Sequence, residues 1–327
     1  MMTDEQKIEQ IEEFRTKALS KKRFLGIWIF LVIVTVLGLT AFLADRMGDE
    51  GFPAIMLLWI LGALSVTGLG MAIHNLKGDY SEEIKCYLVE TAAEGMFDSF
   101  SYRPEEGFLV DDLCNADMMK IRACKTDDMM VGEYNDVTFV HGDVTINADS
   151  ESLGAPFYGT WTVYSFLKPF TSDLQVTTVE MLSHSRVNRT FFTKKDEKRH
   201  LFLTGDTEFD DLFACSGQDE QEAMTLLTPA VRKRLIRIYQ DTGLPMIIGW
   251  KDKELHFITG NALAPFGYEL EATLDYEAML AETRRKLYLI RRVIEELIMS
   301  RSVFSEYALE EYSMPVDTEH EEGLRRQ

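Results

Sequence analysis

Two long apolar runs near the start of the chain, Phe24–Ala44 and Phe52–Ile73, constrain it more than anything else in the sequence. Neither holds a Lys, Arg, Asp or Glu, and only the short acidic stretch Asp45–Gly51 separates them. A helix needs roughly 20 apolar residues to cross about 30 Å of hydrocarbon. Both runs meet that length, so they read as a transmembrane helical hairpin over residues 24–77, with spans 24–44 and 52–73, rather than as core helices. Ahead of them, Thr3-Asp4-Glu5-Gln6 matches a capping box. Ile8, Ile11, Phe14, Ala18 and Leu19 follow at helical spacing, giving an amphipathic cytosolic helix over residues 1–23. A secretory signal would have a shorter apolar core and no acidic leader.

The charges beside the spans predict their orientation. Arg15, Lys17, Lys21, Lys22 and Arg23 crowd the first span, whereas the turn holds Arg46 among Asp45, Asp49 and Glu50. His74 and Lys77 follow the second span. The positive-inside rule therefore predicts an inner (plasma) membrane protein, multi-pass, with both termini cytoplasmic. Lys17, Lys21, Lys22 and Arg23 are candidate contacts for anionic lipid headgroups, against the plainer reading that they only set topology. Gly68 with Ala72, and Thr40 with Ala44, are small-xxx-small pairs that leave a homo-oligomer open as an alternative.

Residues 1–78 carry 8 Lys+Arg and 8 Asp+Glu, so the net charge of −20 lies entirely after the hairpin. A domain this acidic repels phosphates and is a poor nucleic-acid binder. The four cysteines form no CxxC pair, which excludes ordinary zinc spacing and favours reduced thiols.

Beyond the hairpin the pattern predicts an α+β cytosolic domain over 78–300, with an antiparallel β-sheet and packed helices. Ser81-Glu82-Glu83 marks a helix start, Phe100–Phe108 a short strand, and Val110–Lys120 a second helical piece. From Met129, alternating runs broken at Asn135-Asp136 and at His141-Gly142-Asp143 predict antiparallel strands with turns at those breaks. Tyr158–Leu167, Leu174–Leu182 and His200–Thr204 add strands rich in aromatic and β-branched residues. Thr228-Pro229 opens a helix through Tyr239, Leu244–Trp250 and Glu254–Thr259 form a hairpin, and a long helix runs from Thr273 to Met299. Leu280, Leu287, Ile290, Ile294 and Leu297 line its inner face. The polar, acidic end, 301–327, reads as a disordered tail.

Several of these stretches, in this order, resemble the DUF3137 family of bacterial two-span membrane proteins of unknown function. The resemblance runs from about Tyr80 to Met299. It rests on Tyr102–Gly107, Val131–Phe139, Gly159–Val163, Phe209 and Phe213 ahead of Leu226-Leu227-Thr228-Pro229, and the hairpin Ile247–Phe257. It implies a bacterial membrane protein and supplies no catalytic residue or cofactor. The basic loop after Ser185 and the acidic tail depart from the family pattern.

Signatures of catalysis are missing: no P-loop, GxSxG, HExxH or dinucleotide fingerprint occurs. No catalytic, cofactor-binding or metal residue is therefore assigned. Asp111-Asp112 and Asp210-Asp211 are adjacent acids whose side chains diverge, and Asp210 fits a capped turn better than a catalytic site. Arg284, Arg285, Arg291 and Arg292 on the last helix could dock an acidic partner or lipid phosphate. Arg291 and Arg292, however, have Glu295 and Glu296 four residues on, as a solvated helix face would. Met118-Met119 and Met129-Met130 default to core filling. The sequence thus favours a membrane-anchored adaptor that binds a protein or a small-molecule ligand. Alternatives are a tethered enzyme with an unrecognised acidic site, or a structural oligomer.

Overall fold

A computed structural model describes residues 4–47, 51–147, 157–170, 172–183, 199–260 and 275–298. The expected acidic tail and the basic loop after Ser185, up to residue 198, lie outside the described residues. The chain divides into two compact units, Met1–Thr91 with Phe266–Glu282, and Ala92–Pro265 with Thr283–Gln327.

In the first unit, α1 (Asp4–Met47) and α2 (Phe52–Ala93) are single unbroken helices. The amphipathic leader and the first span therefore form one element. Ser81-Glu82-Glu83 starts no new helix but lies within α2, because a single glycine, Gly78, costs a helix about 1 kcal/mol and does not end it. Stretches Ile11–Arg46 and Phe52–Leu76 are long and apolar enough to cross a membrane, and 6% of each apolar window is buried. Phe24, Trp28, Phe30, Phe42, Phe52 and Trp59 are all exposed. Apolar helices with so little protein cover suggest membrane association, since a core helix would bury the same side chains. The two helices meet where Val36 lies on Gly62: a Cβ at Gly62 would come 2.7 Å from Val36 Cγ2. The hydroxyls of Thr40, Ser65 and Thr67 donate to the carbonyls of Val36, Leu61 and Ala63, so these polar groups are satisfied within their helices. Tyr87 and Tyr276 stack in this unit at 5.7 Å, their hydroxyls 3.0 Å apart.

The second unit is built on a nine-stranded antiparallel sheet among the described residues, in the order β1-β2-β3-β4-β9-β8-β5-β7-β6. The strands are β1 (Ser99–Arg103), β2 (Cys124–Tyr134), β3 (Val137–Ile146), β4 (Phe157–Ser165), β5 (Leu174–Thr178), β6 (His200–Phe202), β7 (Phe213–Gly217), β8 (Met246–Lys251) and β9 (Glu254–Gly260). Among the described residues, helices α3 (Val110–Ala116), α4 (Val179–Ser183), α5 (Thr207–Asp210), α6 (Glu220–Leu226) and α7 (Pro229–Thr242) join it, as does α8 (Tyr276–Val293) from Thr283 onward, ending in a π-turn, Ile294–Ile298. This is the α+β architecture with an antiparallel sheet that the pattern predicts.

Turn chemistry sets the register. Asn135 and Asp136 take positive φ (50° and 62°) between Tyr134 and Val137, which face each other, giving a two-residue hairpin. Asp252 does the same between Lys251 and Glu254. The turn expected at His141-Gly142-Asp143 is absent: β3 runs straight through it, and Gly142 is buried under Phe108, where an added Cβ would sit tightly, 3.2 Å from the Phe108 ring. Three other differences are local. Helix α3 stops at Ala116 because Asp117 turns left-handed, β5 gives way to α4 at Val179, and β2 begins before Met129. Strand β7 and helix α6 carry no strong sequence pattern.

One face of the sheet holds Trp161, Val144, Ile146, Ile247 and Ile258 against Leu113, Met118 and Met119 of the α3 segment. Met118 seats over Gly249, whose missing Cβ would lie 1.9 Å from its sulfur. The α3 segment is pinned there: Gln175 Nε2 donates to the Met118 carbonyl, Arg199 to that of Asp117, and Lys251 to that of Asn115. On the other face, Phe213 packs edge-on to Tyr239 of α7, and the Tyr164 hydroxyl donates to the Ile290 carbonyl of α8. The expected inner-face residues Leu287, Ile290, Ile294 and Leu297 are all buried, as is Leu280 in the first unit.

Candidate functional site

The densest gathering of ionisable groups in the sheet comes from a defect in its pairing. Strands β2 and β3 pair regularly from Tyr134↔Val137 to Met130↔His141, then resume at Asp127↔Asp143 with one extra residue on β2. Such a bulge re-aims side chains. Here it forces Asp128 to positive φ (55°) and sends its amide to the Pro104 carbonyl at 3.0 Å. The Asp128 side chain is buried, and the Tyr102 hydroxyl donates to its Oδ1 at 2.5 Å. Asp127, Asp128 and Asp143 each place a carboxylate oxygen within 4.8 Å of the others. Lys125 Nζ lies 2.9 Å from Asp127 Oδ2 and offsets part of the charge. Three carboxylates with no thiol or imidazole among them form an oxygen-only donor set, the kind that suits hard divalent cations.

A polar band continues from Asp143 across the same face. Asp143 pairs with Thr160 and Thr160 with Thr259, the two threonine hydroxyls 2.8 Å apart. One step along, His141 Nδ1 lies 2.7 Å from Thr162 Oγ1. Burial pushes the His141 pKa down to about 4, so the ring is neutral at pH 7.

A second polar chain crosses the opposite face. Trp161 Nε1 donates to His256 Nδ1 at 3.2 Å, and His256 Nε2 faces Glu254 Oε2 at 3.3 Å. An indole nitrogen only donates, so Nδ1 must accept and the ring proton sits on Nε2, toward Glu254. The hydrogen bond from His256 holds the Glu254 carboxyl below its ordinary value.

The basic residues singled out in the sequence fall on two helices. Lys17, Lys21, Lys22 and Arg23 lie on α1; Lys21 and Arg23 are exposed, and Lys17 pairs with Glu13 at 2.7 Å. Arg284, Arg285, Arg291 and Arg292 lie on α8, the first two exposed. Arg291 Nε donates to Glu295 at 2.7 Å and its guanidinium covers the Tyr134 ring at 4.6 Å. Arg292 pairs with Asp241 on α7 and reaches Glu296 at 4.0 Å. Both thus hold α8 to the rest of its unit. Asp210 is bound to the amides of Thr204 and Gly205, the turn role expected of it. Asp111 and Asp112 are exposed at the start of α3. No disulfide joins the four cysteines, and burial pushes Cys124 up to about 11 and Cys215 up to about 12, which keeps both protonated at pH 7.

Sequence reasoning passed over Asp127, Asp128 and Asp143. An adjacent acid pair inside a strand was the available signal. The third carboxylate could not be placed without the register.

Residues 155–298 match the family model described as protein of unknown function (DUF3137). The match leaves the stretches at Tyr102–Gly107 and Val131–Phe139 outside it. No curated protein matches the chain. A solved structure, that of the mycobacterial trehalose monomycolate transport factor A, TtfA, is similar over 63% of this chain and 94% of its own, at 9% identity and a TM-score of 0.35. That likeness is too remote to say anything of function. The resembling stretches and the matching segment agree from the start of β4 to the π-turn, so residues 155–298 are similar to the DUF3137 family of proteins of unknown function.

Proposed function

We propose that the protein is a membrane-anchored adaptor of the bacterial inner membrane, with both termini in the cytoplasm, whose α+β domain binds a protein or a small-molecule ligand. The observation that carries the reading is the near-total exposure of two apolar helices, 6% buried in each apolar window. Apolar surface of that extent needs lipid around it. The basic residues Lys17, Lys21, Lys22 and Arg23 at the first span, against the acidic turn, support the orientation. A well-packed domain without a catalytic motif supports binding over turnover.

Protease added outside spheroplasts tests the orientation. The domain after residue 78 should survive until the membrane is breached; digestion of that domain in sealed spheroplasts would refute it. In-cell cross-linking from the exposed side of the domain then tests the adaptor role. Reproducible adducts with one partner are expected, and a uniformly monomeric, unadducted chain would remove it.

A further inference from the structure

The hairpin carries a groove that its packing leaves open. Trp28, Val32 and Thr35 of α1 and Leu58, Leu61 and Ser65 of α2 line an open cavity of about 210 Å³. Its floor is the contact of Val36 with Gly62. The groove is apolar except for two hydroxyls, and that of Ser65 is spent on the Leu61 carbonyl. From Trp28 to Val36 it extends along α1 by about 12 Å at 1.5 Å per residue. One leaflet is about 15 Å deep, half the hydrocarbon core. The groove is therefore a leaflet-length slot.

What lies at its mouth is set by helix periodicity. Thr35, Trp28 and Lys21 are spaced seven residues apart in one unbroken helix, so they share a face. Lys17, four residues before Lys21, lies on the same face. Phe24 stands between them and packs edge-on to Trp28 at 6.1 Å. Lys22 and Arg23 point about 100° and about 200° round the helix from Lys21. So among the basic residues at the first span, two continue the groove and two do not. Lys17 is held by Glu13 only through an exposed surface pair, which yields readily to a stronger anion. Lysine stems can also reach to headgroup level while their methylenes stay on apolar surface.

We propose that this stripe is a binding site for an anionic phospholipid, with one acyl chain in the slot between α1 and α2 and the phosphate on Lys21 and Lys17. Charge complementarity decides the occupant, because a zwitterionic lipid would fill the slot equally well but gain little from two lysines. The site rests on the reading of the hairpin as membrane-spanning, and the experiment separates the two.

The full chain is reconstituted in phosphatidylcholine nanodiscs as the Trp59→Phe variant. Trp28 is then the sole tryptophan on the apolar helices, and Trp161 and Trp250 are fully buried in the sheet unit. Its fluorescence is followed with equal small fractions of dibrominated phosphatidylglycerol or dibrominated phosphatidylcholine. The brominated anionic lipid should reach half-quenching at a roughly 25-fold lower fraction, about fivefold from each lysine. Each lysine removed should cost about fivefold, so K17Q/K21Q should erase the preference, K21R should keep it, and K22Q/R23Q should leave it intact. Equal quenching by the two lipids, or equal loss in K22Q/R23Q and K17Q/K21Q, would overturn the site while leaving the span in place. No quenching by either lipid would remove the membrane reading and the site with it.

Discussion

At the scale of single residues, two glycines show how differently one missing Cβ can matter. Gly159 lies where a Cβ would sit 2.1 Å from the Thr259 carbonyl oxygen, a backbone atom locked into the β4–β9 ladder. Gly249 would meet the Met118 side chain, which can swing its sulfur aside at the expense of packing. Overpacking of a core costs typically about 1–3 kcal/mol. Gly159→Ala is expected at or above the top of that range and Gly249→Ala nearer the bottom, measured by urea unfolding of the detergent-solubilised chain. Met118→Ala in the Gly249→Ala background should recover part of the loss, whereas no side-chain deletion should rescue Gly159→Ala. The Gly159-Thr160-Trp161 stretch that marks the family resemblance therefore has a physical reason for its glycine. Titration is decided at this scale too. His141 in the fold refuses a proton until about pH 4, whereas its ordinary value is 6.5. The unfolded chain takes up that proton first, so stability falls as pH drops through that window. Glu254 is held below its ordinary 4.5 by His256, so its contribution is present above that pH and is lost as pH falls further. Unfolding measured from pH 7 to pH 4 should show His141→Gln flattening the first part of the decline, and Glu254→Gln leaving that part unchanged.

At the scale of elements, ends and edges were the readable features where the chain itself supplies the chemistry. Thr228 caps α7 by accepting from the Val231 amide at 3.3 Å, with Pro229 at the first helical position and Gly243 left-handed at the close. Each end is written in the sequence. Thr228→Ala should cost about 1 kcal/mol in the same urea assay, the ordinary value of such a cap, and Thr228→Ser should restore it. The final helix obeys the same logic: Glu295 and Glu296 stand where Arg291 and Arg292 need them. Its tertiary partners, Tyr134 and Asp241, could not be inferred from helix spacing. Strand β7 was hidden because Phe213-Ala214-Cys215-Ser216-Gly217 has no β-branched residue; pairing on both edges, with β5 and β6, makes it a strand. His141-Gly142-Asp143 misled in the opposite sense. Its glycine is there to admit Phe108, not to turn the chain.

At the scale of the whole molecule, the sequence by itself determined the two apolar helices, the antiparallel α+β character of the domain beyond them and most element positions. Those come from local physics: hydrophobic length, side-chain periodicity and turn residues that tolerate positive φ all act over a few neighbouring positions. Order in the sheet was decided elsewhere. β4 pairs with β9 and β5 with β8, joining segments far apart in the chain, and only mutual burial chooses such partners. The Asp127–Asp128–Asp143 cluster likewise exists because one extra residue in β2 shifts the register against β3. The groove on the hairpin, in turn, exists because Val36 meets Gly62 and leaves the lysine-bearing face of α1 open. Local pattern states which residues are available; which of them meet is fixed only when distant segments compete to bury the same surface.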